Sequence, residues 1–304
     1  MMFDTPILYL VFNRPDLTEI SFERIREIKP RYLFVAADGP RQGRKDDEEK
    51  CAAAREVVLG MIDWDCEVKT LLRADNLGCG KAVSEAIDWF FGQVEAGIIM
   101  EDDIVANQGF FEFCQEALAL HSDDENVMMI TGLNVAETWK PKKQSYFYSY
   151  FAGIWGWATW RRAWEKYDFD LKGWAQTNPE AVLSPYFNKK QLVARVELYE
   201  KLYNKEIDTW DYQWTYCRLV HQGMSIVPTR NMIQNIGIGD DSTHTKLRHP
   251  WSAIPVYEAK LPLTRNVKVS ADGIYDQLHL GLVGCSAIEK AYLRMMSFVF
   301  RHLL

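Results

Sequence analysis

Three consecutive carboxylates, Glu101-Asp102-Asp103, close the wholly apolar run Gly97-Ile98-Ile99-Met100. Adjacent acids repel one another, and at the mouth of a buried strand stability alone is a poor reason for them. A bound divalent cation is a better one, because carboxylate oxygens are what hard ions such as Mg2+ and Mn2+ select. The plain alternative is a solvated acidic turn after a core strand. Other polar groups stand in comparable places: Asn13-Arg14-Pro15 follows the apolar run 6–12, and Asp38-Gly39-Pro40 follows 32–36. Asp-Gly-Pro is also a good turn. Lys81 opens an expected helix after Asn76-Leu77-Gly78-Cys79-Gly80, where a phosphate would be favoured, although a lysine can begin a helix without binding anything. Late in the chain, Asp208-Thr209-Trp210-Asp211 starts another helix. Asp208 suits its N-cap, which leaves Asp211 available for chemistry.

The elements that must position these groups alternate. Apolar strands are expected at 6–12, 32–36, 66–72, 97–100 and 127–131, each followed by an amphipathic helical stripe up to the last. Strict strand–helix alternation predicts a parallel sheet with helices on both faces, an α/β class, and such sheets bind ligands beyond the carboxyl ends of their strands. Asn13-Arg14, Asp38 and the acidic triplet therefore converge on one edge. Beyond 131 the pattern changes. A strand is expected at 146–151, a helix at 189–203, a helix from 208 capped at Gly223, and a strand at 224–227. Five of the 11 tryptophans lie between 155 and 174. Indoles stack on sugar faces, so the cluster suits a carbohydrate site, with Gly153 and Gly156 allowing close approach. A tryptophan-rich packing seam is the alternative. The loop Asp240-Asp241-Ser242-Thr243-His244 is polar and suited to ordering over a ligand.

Composition narrows the classes. A chain of 304 residues with 48% hydrophobic and 25% charged residues is globular. A net charge of −7 excludes a general nucleic-acid binder, which needs a basic surface. Six scattered cysteines without a CxxC pair read as free thiols in a reducing compartment. With no secretory pattern and no apolar run of about 18 residues, the expected location is the cytoplasm. The stripe Ile288, Tyr292, Met295, Val299, with Lys290, Arg294 and Arg301, makes 286–304 a basic amphipathic helix. It would either lie on the inner face of an anionic membrane or pack on its own domain.

Four pieces, in order, carry a resemblance: Phe12-Asn13-Arg14-Pro15, Ala37-Asp38-Gly39, Ile98-Ile-Met-Glu101-Asp102-Asp103 with Phe110-Phe111, and Trp210-Asp211. Together they resemble GT-A glycosyltransferases, as in glycosyltransferase family 2, and in motif order the N-acetylglucosaminyltransferase I group and its bacterial relatives. The resemblance covers roughly residues 5–245. It implies a GT-A domain over 1–245, with a nucleotide-sugar half at 1–131 and an acceptor half at 132–245, followed by an extension at 246–304. It implies Mn2+ or Mg2+ held by Asp103, with His244 as a further ligand and Asp240 or Asp241 as alternatives. Phe12, Asn13, Arg14, Asp38, Lys81, Glu101 and Asp102 would then meet the nucleotide-diphosphate sugar, a UDP-sugar being favoured. Gly156, Trp157 and Trp210 would meet a saccharide or lipid-linked glycan acceptor, and Asp211 would be the general base of an inverting transfer in surface glycan synthesis. Two rivals are a sugar-1-phosphate nucleotidyltransferase, which normally has a glycine-rich basic loop after the first strand, and a non-catalytic carbohydrate-binding protein. Asn13-Arg14-Pro15-Asp16 has no glycine, and the acidic triplet and Trp210-Asp211 are intact.

Overall fold

The computed structural model describes residues 3–142, 144–237, 254–264 and 269–284. The first half alternates as expected: β1 (Ile7–Val11), α1 (Pro15–Ile28), β2 (Tyr32–Ala37), α2 (Lys45–Gly60), β3 (Glu67–Leu72), α3 (Gly78–Phe91) and β4 (Ala96–Glu101). A short β5 (Ile104–Ala106), α4 (Gln108–Leu120) and β6 (Val127–Thr131) follow. The second half holds β7 (Tyr146–Ser149), β8 (Trp157–Trp160), α5 (Arg161–Trp164), α6 (Pro179–Leu183), α7 (Lys189–Tyr203), α8 (Asp211–Val220), β9 (Met224–Pro228), β10 (Ile233–Asn235) and α9 (Gly273–Gly284).

Eight strands form one sheet in the order β3-β2-β1-β4-β8-β6-β9-β7. The first four are mutually parallel, and only β8 and β7 run against the rest. This is the expected α/β class: a Rossmann-like, mostly parallel sheet flanked by helices. β1, β4 and β6 are buried along most of their length on both faces, which is why they read as unbroken apolar runs.

β8 was not among the strands expected from the sequence. β4 and β6 do not pair; β8 lies antiparallel between them, with Ile99 opposite Trp157 and Ile130 opposite Ala158. Because β8 enters where β4 ends, the loop 152–156 reaches the sheet edge that carries the acids. β5 pairs with β10, placing Ile104 opposite Asn235, and the Ile236 amide donates to the Asp103 carbonyl at 2.9 Å. Residues 235–237 thus cross directly over the end of the acidic triplet. Other expectations shift by a few residues. The strand at 146–151 stops at Ser149, and the helix expected from 208 begins at Asp211. Its end is a Schellman arrangement in which Gln222 takes the left-handed conformation, while the Gly223 amide reaches the Arg218 carbonyl at 2.7 Å.

No periodicity marked 246–285, yet α9 forms there and packs on β7, with Tyr275 and Leu278 buried in the main core. The expected loop residues Asp240, Asp241 and His244, and the amphipathic stretch 286–304, lie outside the described residues. Among the described residues no helix is long and apolar enough to cross a membrane.

Asp276 couples α9 to the body. It is 7% exposed and accepts from the Ser149 hydroxyl and the Tyr150 amide. Burial pushes its pKa up to about 6, although both bonds pull it down. The protonated form is therefore favoured in the folded chain. Stability from this group is full below about pH 4, near the unfolded pKa, and is lost as pH rises through about 6. Asparagine keeps the accepting oxygen without the charge. Asp276→Asn is expected to stabilise the chain at pH 7 by up to about 3 kcal/mol and to have little effect at pH 4. Urea unfolding at the two pH values checks this; a loss of stability at pH 7 would contradict it.

Candidate active site

A cleft of about 870 Å3 runs along the carboxyl edge of β1, β2 and β4 and continues between α7, α8 and α9. Of the expected site residues it gathers Phe12, Arg14, Asp38, Glu101, Asp102, Asp103, Trp210 and Asp211. Asn13, Lys81, Gly156 and Trp157 are not among its lining residues.

Arg14 organises the acids. Its guanidinium bridges Asp102 and Asp103, reaching Asp103 Oδ2 at 3.0 Å. Burial opposes the Arg14 charge, but Asp102 and Asp103 outweigh it and push its pKa up. Arg14 therefore meets the acidic pair itself, where the nucleotide-diphosphate sugar was the expected partner. Asp102 is 2% exposed; one oxygen takes Arg14 and the other accepts the Phe12 amide at 3.1 Å. Both oxygens thus hold the loop after β1 in shape, where sugar or ribose hydroxyls were expected.

Glu101 and Asp103 differ from Asp102. Glu101 Oε1 and Asp103 Oδ1 are buried and accept no hydrogen bond among the described residues. Burial and the neighbouring Asp103 and Asp102 push the Glu101 pKa well up. Two unsatisfied carboxylate oxygens in one acidic corner are donors of the kind that a hard divalent cation takes. Among the described residues no group of three or more ligating side chains is set to hold a metal, so further ligands would have to come from elsewhere. The chain then closes over the corner: a Cβ on Gly237 would stand 2.2 Å from Asp103 Oδ2 and 2.8 Å from Arg14 Nη1. Only glycine fits there.

Asp38 lines the cleft but is already engaged, accepting from the Gly39 and Leu77 amides, each at 3.0 Å, and from Asn76 Nδ2 at 2.8 Å. It pins the loop after β2 to the start of α3, and burial nonetheless raises its pKa. Beside it the Arg41 guanidinium lies 5.4 Å from the Phe12 ring centroid. Phe12, Arg41, Arg73 and Asn76 line the slot at this end of the cleft, with Arg41 paired to the buried Asp47 and Arg73 to Glu85. Arg41 and Asn76 had no assigned role in the sequence; Arg41 follows Asp38-Gly39-Pro40 directly, and that adjacency was the available signal.

Several expectations are corrected. Asn13 donates to Asp47 on α2 at 2.8 Å, a structural task. Lys81 is exposed and lies 3.6 Å from Glu85 on the outer side of α3. Gly156 has φ +57°, and a Cβ there would meet Ile233 at 3.1 Å, so its close neighbour is core and not ligand. Trp157 and Trp210 are 0% and 2% exposed and stack on each other at 5.6 Å, with Trp164 and Trp214 packed around them. The tryptophan cluster is mainly a packing seam; Trp155, half-buried, is the member whose side chain is more open to the cleft. Asp208 does not cap α8. Its Oδ1 accepts the Gly80 amide at 3.0 Å and so caps the first turn of α3. Asp211, in the first turn of α8, lines the cleft and accepts a hydrogen bond from the Thr209 hydroxyl.

No family model matches the chain, and no curated protein matches it by sequence. Among solved structures it is similar to the inositol-1-phosphate CTP transferase of T. maritima, at 9% identity and TM-score 0.39, over 80% of this chain and 94% of that one. It is also similar to mouse xyloside xylosyltransferase 1, at 9% identity and TM-score 0.35, over 71% and 81%. A third likeness is to HddC from Yersinia pseudotuberculosis, at 8% identity and TM-score 0.32, over 57% and 87%. Likeness at this level identifies neither a family nor an activity.

Proposed function

We propose that the chain is a glycosyltransferase of the GT-A kind, moving a sugar from a nucleotide diphosphate to a saccharide hydroxyl. One observation carries the reading: the acidic corner of Glu101 and Asp103, with its two unsatisfied oxygens, shares a cleft with Asp211 and with the Phe12–Arg41 slot. The Phe12 ring, backed by the Arg41 guanidinium, offers a face on which a planar base can stack. Asp103 and Glu101 would hold Mn2+ or Mg2+, with His244 as a candidate further ligand; bound there, the ion would supply positive charge to the diphosphate.

The residues then divide the work. Arg14 holds Asp102 and Asp103 in place. Asp211 takes the proton from the acceptor hydroxyl as its oxygen bonds to the anomeric carbon, and the diphosphate leaves with the electron pair of the broken bond. Attack from the side opposite the leaving group inverts the configuration. Melting-temperature shifts with UDP, GDP, CMP and dTDP sugars plus Mn2+ identify the donor, and slow hydrolysis of that donor to the nucleotide follows. Formation of pyrophosphate from a nucleoside triphosphate and a sugar 1-phosphate would instead make it a nucleotidyltransferase.

A further inference from the structure

The cleft has a second lobe beyond Asp211, and unlike the acidic corner it contains an arginine without a carboxylate partner among the described residues. It is lined by Phe151, Phe187, Arg195, Tyr199, Tyr212 and His279. Arg195, half-buried on α7, lies with its guanidinium 5.6 Å from the Phe187 ring centroid. Among the described residues it has no carboxylate partner, in a chain that carries 42 acids. Tyr199, one turn further along α7, is 0% exposed, and its hydroxyl is buried without a hydrogen-bond partner among the described residues. Behind them Arg218 is 1% exposed and donates to neutral oxygens, the Tyr150 carbonyl at 3.2 Å and the Ser225 hydroxyl at 2.6 Å.

The charges of Arg195 and Arg218 both reach Tyr199 and His279. Burial, then these two arginines, pull the His279 pKa down to about 3, so at neutral pH the imidazole is uncharged. Arg218 is lowered by burial only to about 10 and stays cationic. The cations of the lobe are therefore the two guanidinium groups, with Asp276 acting on Arg218 and Asp211 on Tyr199 as the acids nearby. A half-buried guanidinium without a counter-charge and a buried hydroxyl without a partner are both costly unless something satisfies them. An oxyanion satisfies both, taking the planar donors of Arg195 and the O–H of Tyr199. Phe151, Phe187 and Tyr212 supply aromatic walls against which the face of a sugar can pack.

We propose that this lobe is the acceptor subsite and that the acceptor carries an oxyanion, a phosphate or a carboxylate, bound by Arg195 and Tyr199. The proposal rests on the glycosyl-transfer reading for the word acceptor, but the oxyanion preference stands on the lobe alone.

The test is calorimetric titration of the full chain with four probes: inorganic phosphate, glucose 6-phosphate, glucuronate and methyl glucoside. At least one charged sugar is expected to bind ten-fold or more tighter than methyl glucoside, with phosphate competing. Which charged sugar binds better separates a phosphorylated from an acidic acceptor. Arg195→Ala should abolish the preference, Arg195→Lys should keep part of it, and Tyr199→Phe, which removes one oxygen, should weaken it about three- to ten-fold. Charged sugars binding no better than methyl glucoside, or a preference unchanged in Arg195→Ala of native melting temperature, would overturn the proposal. A separate titration with UDP and Mn2+ probes the other end of the cleft, so failure there removes the transferase reading and leaves the oxyanion result to stand or fall by itself.

Discussion

Asp211→Asn is expected to bind nucleotide as the native chain does and to lose sugar transfer by about 10²–10⁴-fold, the usual contribution of a general base. The geometry makes the comparison with Asp208 informative. Both acids line the cleft three residues apart, and either could have been the base. Asp208, however, is committed to the Gly80 amide, and a Cβ on Gly78 would stand 2.5 Å from its Oδ2. It is the pin between the start of α3 and the turn before α8. Asp208→Asn keeps an accepting oxygen for that amide and should leave transfer within a few-fold of native, with a stability change of at most about 1 kcal/mol. Asp211 accepts the Thr209 hydroxyl, and that bond helps to orient the carboxylate. Single-turnover transfer and nucleotide titration on both variants decide the matter. Near-native turnover in Asp211→Asn with loss in Asp208→Asn would mean that the base is Asp208.

What the sequence disclosed and what it hid follow from the range of the interactions involved. β1, β2 and β4 were legible because a strand buried on both faces must be apolar throughout, and the polar residues that end such a run stand out. The α3 cap was not legible, since Asp208 and Gly80 are 128 residues apart and a capping rule looks only at neighbours. The tryptophans misled for a chemical reason. An indole face is equally suited to a pyranose and to another indole, and only the fold shows that Trp157 faces Trp210. β8 was missed because Trp-Ala-Thr-Trp is short, and its insertion depends on two partners, β4 and β6, that both lie in the other half of the chain. α9 has Gly281 and Gly284 near its end and little amphipathic character, so no stripe announced it, yet it delivers His279 to the cleft. Arg195 lies within the helix expected at 189–203, where nothing local singles it out. Its meaning depends on α9 and on the loop after β7 meeting α7, which no local pattern encodes.

The acidic corner yields the second large effect. With Arg14 bridging Asp102 and Asp103, the full ionisation of the three acids would leave a charge of −2 where a diphosphate must approach. Two unit charges about 5 Å apart interact by roughly 3 kcal/mol at an effective dielectric near 20. Part of that repulsion is already relieved, because burial and its neighbours hold the Glu101 pKa well up. A divalent cation held by Asp103 and Glu101 would cancel that charge and draw Glu101 into its ionised form. UDP titrated into the chain is therefore expected to bind at least 100-fold tighter with Mn2+ than with chelator, about 3 kcal/mol. The Mn2+-bound complex should release protons on forming, since ligands must be deprotonated. Asp103→Asn should lose the Mn2+ dependence, while Glu101→Gln should weaken it and abolish the proton release. The rival device is Arg14 itself, a guanidinium that could leave the two aspartates for the diphosphate. The two devices give opposite results. If Arg14 serves the diphosphate directly, UDP binds equally well in chelator and fails in Arg14→Ala. If the cation serves it, chelator abolishes binding, and Arg14→Ala changes the affinity for Mn2+ first, because it frees Asp103 Oδ2 and leaves two buried carboxylates without their counter-charge.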